Sequence, residues 1–249
     1  MNVHSLILTK LKLRSQLSAA ACVAIEAAPF TLRDIEAGTE IVHDGGPPAR
    51  DCQIILDGVA LRSKTTASGG RQIVAVELRG DFLDLAHLFL EIADHDVEAL
   101  TDLKVAAIDR QVLRTLALEH RDLGRALWTE ALVEASIARE WMTNLGRRDA
   151  RTRIAHALCE LALRSQAVRL SPPDMLTLPW TQEQLGDVTG LTPVHVNRML
   201  RSLEEDGLIE RSGREVRILD RRRLWTEGDF EPRYLHLVEI LQPVGEAAA

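Results

Sequence analysis

The sequence predicts an α+β protein in three parts: a β-rich N-terminal domain, one long helix, and a C-terminal domain of two short helices followed by a hairpin. Three observations predict it. Short β-like runs separated by turn clusters fill residues 35–110. Residues 125–145 contain neither glycine nor proline and are rich in Leu, Ala, Glu and Arg. Residues 181–203 carry two helix-start signals, at Thr181 and at Thr192-Pro193, on either side of a turn at Gly190.

Composition bounds the reading. The chain has 249 residues, 46% hydrophobic and 27% charged, with 15 glycines and 9 prolines. That is globular composition with enough apolar material for one or two domains, and it excludes fibrous and low-complexity classes. No apolar stretch approaches the roughly 18 residues a membrane span needs, and Glu26 ends the run 19–25. Lys10, Lys12 and Arg14 follow the first apolar run instead of preceding it, so a secretory leader is not expected. A soluble cytoplasmic protein with no membrane partner is expected. Cys22, Cys52 and Cys159 are odd in number and scattered, which speaks for reduced thiols and against a disulfide framework. The eight histidines show no metal-ligand spacing, so no metal is expected.

The strands come first. Ile41 and Val42 precede a turn cluster at 43–48. Residues 53–56 form a run closed by Asp57-Gly58, and 59–63 follow directly, so Asp57-Gly58 reads as a two-residue hairpin turn. Residues 72–78 alternate, with Ile73, Ala75 and Glu77 on one face and Val74, Val76 and Leu78 on the other. Two further short strands are expected at 97–100 and 105–108. Short, regularly spaced strands suggest a small jelly roll. A helix-like apolar stretch at 81–90 interrupts the series.

The runs Ile54-Ile55-Leu56-Asp57-Gly58-Val59-Ala60 and Gly80-Asp81-Phe82-Leu83-Asp84-Leu85 resemble the cyclic-nucleotide-binding-type sensor domain of the Crp/Fnr family of bacterial transcription regulators, over about residues 20–115. The resemblance implies an effector pocket at the interruption, assigned to Gly80, Asp81, Phe82, Leu83 and His95. Members that bind cyclic AMP carry Gly-Glu at the start of this cassette and Arg-Ser or Arg-Thr near its end, the Glu on the ribose and the Arg on the phosphate. Here Gly80 is followed by Asp81, and the Arg-Ser positions fall on Ala93 and Asp94. A buried phosphate needs a fixed cation or backbone donors, whereas Asp94, Asp96 and Glu98 make this rim acidic. Cyclic AMP is therefore not expected. An iron–sulfur cluster is not expected either, because the N-terminal cysteine cluster that would hold one is missing. His87 and His95 read as structural histidines before haem or metal ligands.

The long helix has an apolar four-three seam, Trp128, Ala131, Ala135, Ala138, Met142 and Leu145. Its small central residues suit a close helix–helix contact, so a homodimer is expected. The competing reading packs this stripe on the chain's own sensor. A further amphipathic helix is expected over 149–165, with Ile154, Leu158, Leu161 and Ala162 apolar.

Thr181 caps a short helix ending near Thr189, Gly190 makes the turn, and Thr192 with Pro193 starts a second helix running to about Asp206. Its buried face is Val196, Met199, Leu200 and Leu203, and its outer face shows His195, Asn197, Arg198 and Arg201. Residues 207–219 then form a hairpin about Ser212-Gly213. This is a winged helix-turn-helix, and the block closely resembles that of the Crp/Fnr family. In better-known members base edges are read from the places of Val194, Asn197 and Arg198, the first of which is acidic there. Val194 departs from the pattern, so a different operator sequence is expected. By chemistry, Arg198 suits guanine and Asn197 adenine, with Val194 and His195 beside them as base readers. Thr181, Gln182, Thr192, Arg201, Arg211 and Arg214 are assigned to phosphates.

Charge supports that partner. Residues 147–223 hold 14 Arg, no Lys and 11 acidic residues, a +3 segment within a chain of −7. The boundaries drawn are 1–119 for the sensor, 120–146 for the dimer helix, 147–223 for the DNA-binding domain and 224–249 for a tail with one short helix on the winged domain. The expected partners are double-stranded DNA, a second copy of the chain, a small-molecule effector, and RNA polymerase if the protein activates. The alternative is an interaction module that has lost specific DNA binding. An enzyme built on Asp81 with Asp84, or Asp94 with Asp96, lacks a nucleophile or phosphate loop beside them.

Overall fold

The computed structural model describes residues 3–168, 175–177, 180–213 and 215–237, with backbone only over 175–177. Two N-terminal helices, α1 (Val3–Lys12) and α2 (Ala19–Glu26), precede the strands. Ser18 caps α2 by accepting the Ala21 amide. The strands are β1 (Thr31–Ile35), β2 (Glu40–Val42), β3 (Asp51–Asp57), β4 (Ala60–Thr65), β5 (Arg71–Glu77), β6 (Asp96–Ala99) and β7 (Leu103–Asp109). They form two antiparallel sheets, in the orders β1-β7-β3 and β2-β6-β4-β5. Ile55, Val97, Leu103 and Val105 fill the space between them with Leu83. A 3-10 turn, Leu85–Leu88, interrupts the strands where the apolar stretch lies.

Two local expectations are corrected. Asp57-Gly58 is not a hairpin turn. β3 pairs with β7, whereas β4 pairs with β5 and β6, so this dipeptide is the corner where the chain changes sheets. Gly58 has φ +94°, and a Cβ there would lie 2.4 Å from the Asp102 carbonyl, so the corner packs directly on the segment entering β7. The simple alternation of β5 also fails. Arg62 pairs with Ala75 and Ser63 with Ile73, leaving Val74 as a bulge. The extra residue brings Ile73, Val76 and Leu78 into one core, while Val74, Ala75 and Glu77 line a cavity instead.

Asp109 caps α3 (Arg110–Glu119), which leads into α4 (Arg121–Arg147), the long helix of the sequence reading. Asp149 caps α5 (Ala150–Ala167) with two amides at 3.0 Å. Strand β8 (Met175–Thr177) joins the hairpin β9 (Ile209–Ser212) and β10 (Glu215–Ile218) in a three-stranded sheet. Between them lie α6 (Gln182–Thr189) and α7 (Pro193–Glu205). Helix α8 (Arg221–Glu227) and a 3-10 turn, Pro232–Leu235, close the described chain. That turn is the short helix expected in the tail: the Tyr234 hydroxyl donates to Glu160 on α5, within the segment 147–223, and the Leu235 carbonyl reaches beyond that segment to accept from Arg14.

One apolar core runs through both halves. Val59, Leu61, Ile73 and Val76 of the β domain join Ile154, Leu158 and Leu161 of α5, and the cluster continues to Leu203 and Val216. Among the described residues no helix is long and apolar enough to cross a membrane.

Candidate nucleic-acid interface

The two short helices are set by their own caps. Thr181 accepts the Gln184 amide at 3.1 Å while the Gln184 side chain accepts the Thr181 amide at 2.9 Å, a complete capping box. Gly190 ends α6 in the left-handed region at φ 66°, and Thr192 caps α7 with Pro193 in its first turn. Val196, Leu200 and Leu203 are buried, with Met199 half-buried beside them. This fixes which face of α7 looks outward.

That face carries the assigned residues. Val194 is 81% exposed and Arg198 and Arg201 are exposed, all at helical i, i+4, i+7 spacing. His195 and Asn197 flank them, half-buried. Among the described residues neither the Arg198 nor the Arg201 side chain makes a hydrogen bond or a close ion pair, although the Arg201 charge helps to lower the Glu204 carboxyl. Glu204, a rival partner for Arg198, is taken by Arg211, whose backbone amide and guanidinium both donate to it. Arg211 thereby holds the Glu204 carboxyl below its ordinary range. Thr181, Gln182 and Thr192 are exposed at the helix starts. Arg214 lies outside the described residues.

Much of the basic cluster is spent inside the protein. Arg151 bridges Asp206 and Glu227, Arg148 pairs with Glu140 and Asp229, and Arg217 pairs with Glu210. Arg153 donates to the carbonyl of Thr189 at 3.0 Å and so braces the turn between α6 and α7.

The sensor cavity, about 380 Å³, lies between β4, β5 and α4. Of the five residues assigned to an effector pocket only His95 lines it. Phe82 and Leu83 are core residues, 3% and 0% exposed. Gly80 packs on Lys10 and Val168. Asp81 is buried between Lys10 and Arg164. The reason is the residues facing the cassette: α1 and α5 bring cations to Asp81 and turn it away from the cavity. Burial pushes the Asp81 carboxyl up, but Lys10 and Arg164 outweigh it and hold it well below the usual range.

The sequence reading missed Arg62, Glu77 and Glu134, which make the polar wall. The Arg62 guanidinium lies 3.0 Å from Glu77 and 3.2 Å from Glu134, and donates to the Leu83 carbonyl. Burial pushes the Glu77 carboxyl up to about 7 against the pull of Arg62. Arg62 and Glu77 are charged residues on the strands β4 and β5 and Glu134 comes from helix α4, so only the packing of α4 on this sheet brings the three together. The three cations that line the cavity are all engaged, Arg62 with Glu77 and Glu134, Arg164 with Asp81 and Glu160, and Lys64 with Asp44, and Asp94 and His95 pair at its edge.

His87 and His95 stack with ring centroids 6.1 Å apart, and burial lowers the pKa of both. Cys22, Cys52 and Cys159 sit on α2, β3 and α5, and burial raises the Cys52 and Cys159 thiols far above their ordinary value. Asp84 caps the Gln53 amide at 3.1 Å instead of facing Asp81 as a catalytic pair.

A jelly-roll domain, a long helix with an exposed apolar seam and a winged helix-turn-helix presenting unpaired arginines define a sensor-linked DNA-binding regulator. Comparison with known proteins agrees. A Crp-like helix-turn-helix domain matches residues 152–226, and a cyclic nucleotide-binding domain matches residues 32–120. The transcriptional activator protein FnrL of Cereibacter sphaeroides is 32% identical over 199 residues, 78% of this chain and 79% of that one. The nitrogen fixation regulation protein FixK of Azorhizobium caulinodans is 32% identical over 177 residues, 71% of each chain. The structure of FixK2 from Bradyrhizobium japonicum superposes with a TM-score of 0.71 at 29% identity, covering 80% of this chain and 96% of that one. The chain belongs to the Crp/Fnr family and is a transcription regulator with a helix-turn-helix DNA-binding domain.

Proposed function

We propose that this regulator binds DNA as a homodimer whose two α7 helices enter successive major grooves, roughly 34 Å apart, of an imperfect palindrome. The observation that carries the reading is the outer face of α7, where Arg198 stands exposed and unpaired while Val196, Leu200 and Leu203 anchor the helix from behind. Arg198 is the guanine reader and Asn197 the adenine reader. Val194, 81% exposed, offers an apolar contact to a thymine methyl, and His195 completes the reading face. Thr181, Gln182, Thr192 and Arg201 hold phosphates. Arg211 is the weakest of the assigned phosphate contacts, because Glu204 already engages it.

The dimer reading rests on the seam. Trp128 and Met142 are more than half exposed, and Ala135 and Ala138 are open to solvent. Ala131, Ala135 and Ala138 also border the sensor cavity, so a second copy on this seam closes the cavity mouth. An effector there acts by shifting the population of DNA-competent dimers. Its chemistry differs from that of cyclic AMP, because Arg62 is committed to Glu77 and Glu134.

Operator selection from a random duplex pool, followed by gel shift with Arg198→Ala, tests the reading. The variant is expected to weaken the selected site about 5- to 150-fold, about 1–3 kcal/mol, and to relax preference at one base pair per half-site. Unchanged affinity and unchanged preference would remove α7 as the reader.

A further inference from the structure

The two segments that flank the matched domains meet each other. Helix α1 precedes residue 32 and the turn Pro232–Leu235 follows residue 226, so neither lies within either family match. Arg14 nevertheless donates to the Leu235 carbonyl at 2.9 Å and to both Glu130 oxygens on α4 at 2.9 Å. Lys10 lies 3.5 Å from Glu130 and pairs with Asp81. Asp81 accepts from Arg164 on α5 at 2.8 Å, and Arg164 also donates to the Val76 carbonyl at 2.8 Å. Glu160 accepts from Arg164, from the Trp141 indole at 3.0 Å and from the Tyr234 hydroxyl at 2.7 Å. The relay runs from α1 through the β domain and α5 to the tail, and its charged members are buried.

A second contact sits at the other end of the interface. The Gln72 side chain on β5 donates to the carbonyls of Asp187 and Val188, in the last turn of α6. Last-turn carbonyls lack helical partners, so a sensor side chain completes a helix of the DNA-binding domain. The apolar core between these contacts is continuous. Buried ion pairs fix one arrangement strongly, since breaking one leaves an uncompensated charge.

We propose that α1 and the 232–235 turn form a clamp that fixes the helix-turn-helix against its own sensor domain, with Asp81, Arg164 and Gln72 as positioning residues. The clamp sets the orientation of α7 relative to α4. It does not rest on the base-reading assignments, and its test uses no DNA.

Scanning calorimetry of the full chain should give one unfolding transition. Arg164→Met should split it into two, and Arg164→Lys, which keeps the charge opposite Asp81, should restore a single peak. Two resolved peaks in the unaltered chain, or a single unshifted peak in Arg164→Met, would overturn the proposal. Hydrogen exchange covers the case in which Arg164→Met does not fold. Gln72→Ala should speed exchange over residues 182–189 at least tenfold and leave 103–109 unchanged. Arg14→Met should do the same for residues 229–237. Unaltered exchange over either segment refutes that end of the clamp.

Discussion

Replacing Glu77 by Gln is expected to change how stability depends on pH. Glu77 is 3% exposed and pairs with Arg62, which it shares with Glu134. Burial dominates and raises its carboxyl from 4.5 to about 7. Between those values the folded chain holds a proton that the unfolded chain has released. Stability from this group is therefore complete below about pH 4.5 and falls as pH rises towards 7. At 1.36 kcal/mol per unit, the shift corresponds to an upper value of about 3 kcal/mol. Gln does not titrate, so the variant loses this slope. Urea midpoints for both proteins at pH 5, 6, 7 and 8 measure it, and other titrating groups cancel in the difference. The variant should gain on the parent by about 2–3 kcal/mol from pH 5 to pH 8. A difference that stays constant across that range would show that Glu77 is ionised throughout and that burial does not govern it.

Two other substitutions probe the fold and the assembly. Gly58→Ala should destabilise by about 2–4 kcal/mol in urea unfolding, because the backbone is at φ +94° and the Asp102 carbonyl occupies the space a Cβ needs. A loss under 1 kcal/mol would mean that the corner can move. Ala135→Glu places a charge in the centre of the α4 seam, and sedimentation velocity should show a monomer where the parent sediments as a dimer. An unchanged dimer would put the interface elsewhere.

The helix-turn-helix was legible in the sequence because its signals are local. Thr181 and Gln184, Gly190, and Thr192 with Pro193 lie within a dozen residues, and each fixes its own turn of backbone. The strands were legible as runs, but their partners were not. Asp57-Gly58 carries the composition of a hairpin, yet β3 finds β7 about 50 residues away. Helix α4 was legible as a run of helix formers free of glycine and proline over 125–145. The effector pocket was not, because Asp81 takes its partners from Lys10 and Arg164, 71 and 83 positions away in the chain. The cavity wall is drawn from β4, β5 and α4, and a bulge inverts part of β5. Where position was decided by short-range caps the reading was right, and where buried charges chose distant partners it was not.

The same commitment of charge bears on how an acidic chain holds a polyanion. The segment 147–223 is basic by count, but Arg148, Arg151, Arg153, Arg164, Arg211 and Arg217 are engaged within the protein. Such arginines release few counterions from DNA, so counting residues overstates the electrostatic grip. Of the two exposed arginines on α7 only Arg201 is assigned to phosphate, so two protomers should give a slope of log affinity against log salt of about −2 from this face. Glu204→Gln then has a definite sign. It frees Arg211, which stands on the wing strand β9 next to α7, and adds one available cation per protomer. The slope should steepen by about 2 and binding at low salt should tighten. An unchanged slope would mean that Arg211 already reaches a phosphate when DNA is bound, or never does. In either case the wing's share of binding would not be set by its pairing with Glu204.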